Sequence, residues 1–154
     1  MIVTLTDTEY RLAKALAKAK NDYAESQGFK SVKRDRKRSQ IELKTQGFAA
    51  ELAVCRTLNV YPDLSEKYSM TDIKYKDKTI NVKSTHYKTG KLLVPDYQGK
   101  TADIYILVIA SHPDYEIKGW CTCEELFKTK NIDNIHNLGK SWVLGQEELR
   151  PWRF

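Results

Sequence analysis

Cysteine is scarce in this chain. Its three copies, Cys55, Cys121 and Cys123, are odd in number and badly spaced for a disulfide framework. The fold must therefore rest on an ordinary apolar core, and a reducing, intracellular compartment is expected. No apolar run reaches 18 residues, so no membrane-spanning helix is expected. The N-terminus lacks the basic-then-apolar order of a secretory signal, because polar Thr4, Thr6 and Asp7 follow at once. Internal repeats, low-complexity tracts and interdomain linkers are also missing. What remains is the composition of a soluble globular protein, 41% hydrophobic and 30% charged over 154 residues. That length suits a single domain spanning residues 1–154, in a cytoplasmic setting and with no membrane partner.

Positive charge is present and unevenly placed. The net charge is +6. Lys30, Lys33, Arg34, Arg36, Lys37 and Arg38 face one acid, Asp35, so this short window holds nearly all of the excess. Such a local field suits phosphate. Lys88 and Lys91 extend the candidate nucleic-acid surface.

Local signals place the elements. Thr6 with Glu9, and Ser39 with Glu42, are capping boxes. They predict one helix from Thr6 to about Gln27, stopped by Gly28, and a second over residues 40 to 59. Strands are predicted near 68–75, 79–86, 91–95, 103–110 and 115–121, then a short helix over 123–128 and a last strand over 141–144. The run from Asp103 to Ala110 is nearly continuous apolar, which predicts a central strand buried on both faces. The coarse order is α-α-β-β-β-β-β-α-β.

Candidate chemistry lies on the second helix and on the hairpin after it. On a helical wheel Ile41, Leu43, Gly47, Phe48, Val54, Cys55 and Leu58 fall within about 80° of Glu51 at ~100° per residue. Glu42, Gln46, Arg56 and Thr57 fall on the far side. Glu51 thus sits in the apolar arc, where a carboxylate is costly unless paired, for example with Lys44, or metal-bound. Gly47 weakens the helix and leaves room for close backbone approach. On the hairpin, strand alternation puts Asn81 and Lys83 on one face and Ile80, Val82 and Ser84 on the other. If Tyr75 pairs with Ile80, Asp72 lies opposite Lys83. The ordinary alternative is an exposed hairpin face with a cross-strand Asp–Lys pair, worth under ~1 kcal/mol. His86, His112 and His136 have no metal-ligand spacing, and only His86 is near the candidate site. Trp120, Trp142, Trp152 and Phe154 are expected to pack in the core rather than stack on bases.

Gly47-Phe48-Ala49-Ala50-Glu51 on a helix, then Asp72, then Asn81-Val82-Lys83-Ser84-Thr85, resembles the PD-(D/E)XK nuclease superfamily. Restriction enzymes, Holliday-junction resolvases and many phage nucleases belong to it. Ala102-Asp103-Ile104-Tyr105-Ile106-Leu107-Val108 followed by Gly119-Trp120 is similar to small phage-type members, and the resemblance covers roughly residues 40 to 125. It implies an α/β fold with a restriction-endonuclease-like αβββαβ core over 39–154, a mixed sheet flanked by helices. The N-terminal helix and the basic segment, 1–38, are then additions. It also implies a Mg2+ (or Mn2+) dependent DNA nuclease, a hydrolase of phosphodiester bonds in a cytoplasm such as that of a phage-infected host. Asp72 would be the main metal ligand, Glu51 a second and the Val82 carbonyl another, with Lys83 as the lysine of the motif. Asn81 would be a further metal ligand; it stands where the family has Asp or Glu and offers a neutral oxygen, which removes one negative charge from the catalytic set and lowers expected magnesium affinity. A natural working variant, a silent site and a deliberately removed acid all fit that residue. The alternative function is a catalytically silent DNA-binding module on the same fold. A junction-resolving or nicking enzyme is a subclass of the first reading, and cutting two strands would need a homodimer.

Overall fold

A computed structural model describes residues 1–29, 37–134 and 139–153. Strand β1 (Ile2–Thr4) precedes helix α1 (Asp7–Ser26), and α2 (Gln40–Leu58) follows. Both capping boxes form: Thr6 and Ser39 accept from the main chain of Glu9 and Glu42, whose carboxylates return the bond. Then come β2 (Ile73–Tyr75), β3 (Lys78–Thr85), β4 (Leu92–Pro95), β5 (Ile104–Ser111) and β6 (Asp114–Thr122). Short helix α3 (Cys123–Leu126) and strands β7 (Ile132–Asp133) and β8 (Ser141–Leu144) complete the order.

The fold is mixed α/β. Five strands form one sheet in the order β1-β6-β5-β3-β2, and three form another in the order β4-β8-β7. In the larger sheet only β3 and β5 run parallel. Their alternating side chains build two cores. Ile80, Val82, Ile104, Ile106 and Val108 pack with Ala49, Ala50 and Ala53 of α2. Tyr105, Leu107 and Ile109 pack on the opposite face with Leu92 and Val94 of β4 and Leu144 of β8. Strand β5 is therefore buried on both faces, as its apolar run predicts. Among the described residues no helix is long and apolar enough to cross a membrane.

The structure corrects several boundaries. The strand predicted near 68–75 is only Ile73–Tyr75. Upstream, Ser65 N–H donates to Asp63 Oδ1, Lys67 N–H to Ser65 Oγ and Ser69 Oγ–H to the Thr71 carbonyl. These local side-chain bonds take main-chain groups that a ladder would need. Strands β1 and β7, of three and two residues, are additional. Helix α2 is buried on a wider arc than a one-sided wheel gives, because it lies between α1 and the sheet; Ala49, Ala50 and Ala53 are fully buried. Gly47 does not serve close approach, since a Cβ there would meet nothing within 4 Å. Gly119 does: the Arg150 carbonyl occupies the space a side chain would need, and Trp120 and Arg150 exchange main-chain bonds of 3.0 and 2.8 Å. Trp120, Trp142 and Trp152 are partly buried against the cores, while Phe154 and His136 lie outside the described residues.

Candidate active site

The hairpin closes with Lys76 and Asp77 at the turn, and Lys76 takes φ 53°. Tyr75 pairs with Lys78, and Ile73 with Ile80. The Tyr75–Ile80 register is thus not the one adopted. The next rung outward puts Asp72 level with Asn81, two residues short of Lys83. Strand β2 ends there, so from Asn81 onward β3 is paired only on its β5 side.

Asp72 turns into that gap. Its N–H donates to the Ile80 carbonyl at 3.1 Å, and its Oδ2 accepts from the Val82 N–H at 2.6 Å. The carboxylate takes the place of the main-chain acceptor that a longer β2 would supply. A strand residue aims its N–H and C=O to the same side, so the Val82 carbonyl faces the same open edge. The Val82 side chain points into the helix-side core, as alternation predicts.

Glu51 reaches this region from α2. Both carboxylates line a cleft of about 530 Å³ together with Lys20, Lys44, Phe48 and Tyr68. Burial raises the Glu51 carboxyl well above its ordinary range; the charge of Asp72 raises it further, while Lys20 and Lys83 pull it down. Burial also raises Asp72, against the Val82 N–H, Lys83 and Lys20. Burial pushes the neighbouring Cys55 thiol up to about 12, with Glu51 and Asp72 adding to the effect. That thiol is inert at neutral pH.

Asn81 and Lys83 do not line the cleft. They occupy the other face of β3, where Lys83 Nζ donates to Gln98 Oε1 at 2.9 Å and Asn81 Nδ2 reaches Thr101 Oγ1 at 3.5 Å. Asn81 is 7% exposed, and its Oδ1 is buried with no hydrogen-bond partner among the described residues. The four residues therefore flank one open strand edge instead of sharing one pocket wall. Glu51 approaches from the helix face, Asp72 lies at the edge, and Asn81 and Lys83 lie on the opposite face.

Lys44 does not pair with Glu51; its Nζ donates to Asn21 Oδ1 at 3.0 Å. Lys20 holds the Lys67 carbonyl at 3.1 Å and lies over the Phe48 ring at 5.3 Å. Lys20, Gln98 and Thr101 escape the sequence reading. The Asp96-Tyr97-Gln98-Gly99 turn signal marks a loop but not its place beside Lys83, and nothing local marks Lys20.

Of the basic window, Lys30, Lys33, Arg34 and Arg36 lie outside the described residues. Lys37 is exposed, and Arg38 is partly buried. Lys88 and Lys91 are exposed on the connection from β3 to β4. Among the described residues no group of three or more His, Cys, Asp or Glu side chains could hold a metal ion. Comparison with protein-family models, with curated proteins and with solved structures returned no match.

Proposed function

We propose that this protein is a metal-dependent DNA nuclease of the PD-(D/E)XK type, with a restriction-endonuclease-like core built from α2, the β2–β3 hairpin and β5. The observation that carries the reading is the pair of half-buried carboxylates, Glu51 and Asp72, brought from separate elements to one open strand edge under the charge of Lys83. Perturbed acids of this kind cluster at functional sites.

The donor set fits a hard divalent cation. Glu51, Asp72, the Val82 carbonyl and Asn81 Oδ1 all offer oxygen, which magnesium and manganese prefer. The orphaned Asn81 Oδ1 is the donor that most needs a partner. A bound Mg2+ or Mn2+ supplies Lewis-acid polarisation of a phosphate and a lowered pKa for water. Asp72 is held in place by the Val82 N–H, which fixes the orientation of its second oxygen. Lys83, steadied by Gln98, carries positive charge toward the region where a phosphodiester gains negative charge during hydrolysis.

Cleavage of supercoiled, linear and branched DNA against magnesium and manganese concentration tests this. Metal-dependent cutting should fall by roughly 10²-fold or more in Asp72→Asn and Lys83→Ala. No cutting of any substrate at any metal concentration would contradict it. A second reading, a silent DNA-binding module, is favoured by one observation: Asn81 brings no carboxylate to the edge, and among the described residues no group of three or more His, Cys, Asp or Glu could hold a metal ion. It expects DNA binding that no metal converts into cleavage.

A further inference from the structure

A second cavity, of about 340 Å³, opens at the C-terminal ends of β3 and β5, the parallel pair of the sheet. Lys14, Arg38, Gln46, His86, His112 and Glu42 line it. Ligands of α/β sheets commonly sit outside the carboxyl ends of parallel strands. Here that position is crowded with donors.

Arg38 organises the cavity. Its Nη1 donates to Gln46 Oε1 at 2.6 Å and lies 3.1 Å from His86 Nδ1. A guanidinium can only donate, so Nδ1 accepts and the His86 proton is on Nε2. Gln46 Nε2 in turn donates to Ser84 Oγ at 3.1 Å, which ties the group to β3. Arg38 Nη1 thus meets two neutral acceptors. Among the described residues neither Arg38 nor Lys14 forms an ion pair. Glu42 is the one acid on the wall among the described residues, and its carboxylate accepts the Ser39 N–H at 2.6 Å in the capping box.

We propose that this cavity binds a phosphate group through Arg38 and Lys14. With Nη1 committed to Gln46 and His86, the guanidinium keeps Nη2 and Nε as donors, and a tetrahedral oxyanion accepts from these and from Lys14. The phosphate site does not depend on the nuclease reading.

The test measures binding and not cleavage, so its failure is separable from failure of the nuclease reading. Wild type, Arg38→Gln and Lys14→Ala are compared by thermal unfolding in sodium phosphate against sodium chloride at matched ionic strength. Phosphate should raise the Tm of wild type and lose that effect in both variants. DNA binding is then followed by fluorescence anisotropy in EDTA over a salt series. A roughly tenfold weakening in Arg38→Gln, with the log–log salt slope smaller by about one, assigns the site to a backbone phosphate. An unchanged slope with a lost phosphate response assigns it to free phosphate or a phosphomonoester. An equal phosphate response in all three proteins would overturn the proposal.

Discussion

The Asp72 carboxylate accepts the Val82 N–H at 2.6 Å, just where β2 stops pairing with β3. One bond thereby ends the hairpin ladder and anchors a half-buried acid. Asp72→Ala would strand a buried N–H at a cost of about 1–3 kcal/mol. Asp72→Asn keeps an acceptor oxygen and removes the charge that Glu51 feels, so it should be nearly neutral in stability. Urea denaturation at pH 7 in EDTA checks the ordering. Equal loss in both variants would show that the bond does not matter.

Glu51 gives stability a definite pH dependence. Its folded-state pKa is raised, so the native chain binds the proton more tightly than the unfolded chain. Below the ordinary carboxylate range both states are protonated and no cost arises. As pH rises through that range and then through the raised value, native stability falls. Glu51→Gln should match wild type near pH 4 and exceed it at pH 8 by on the order of 1–3 kcal/mol in the absence of metal. Parallel stability curves from pH 4 to 8 would contradict the assigned burial.

The basic window makes a separate prediction from composition. Replacing Lys33, Arg34, Lys37 and Arg38 with Ala should weaken DNA binding and flatten its salt dependence by roughly one unit of slope per lost phosphate contact. Anisotropy titrations across a salt series measure both. Unchanged affinity and slope would remove the segment from the interface.

What was legible in the sequence was local. Thr6 with Glu9 and Ser39 with Glu42 announce helix starts because the capping atoms lie three residues apart. The alternation of Asn81, Val82 and Lys83 is likewise fixed by the pleat. The register was legible only in part: Tyr75-Lys76-Asp77-Lys78 reads as a tight turn, but with no glycine in it nothing fixed the two-residue turn that pairs Tyr75 with Lys78 and gives Lys76 a positive φ. The position of Glu51 was foreseen, but the full burial of Ala49, Ala50 and Ala53 depends on α1 covering α2. Lys20, Gln98 and the Arg38–His86 pair join the sites through tertiary packing, which no spacing in the chain encodes.

Asn81 bears most directly on the central claim, that the open edge of β3 is a divalent-cation site for phosphodiester hydrolysis. Its buried Oδ1 lacks a partner among the described residues, and it is level with Asp72 across the end of the hairpin. In Asn81→Asp a third carboxylate joins two that burial already raises, so without metal the variant should be less stable than the parent. Lys83 offsets part of that repulsion. Magnesium should reverse the loss, raising the Tm of Asn81→Asp more than that of the parent. The decisive measurement is Tm and plasmid cleavage of both proteins across one magnesium titration. The account predicts larger metal-dependent stabilisation and faster cleavage in Asn81→Asp. No added stabilisation and no more cleavage than the parent would contradict it and leave the DNA-binding module as the better reading.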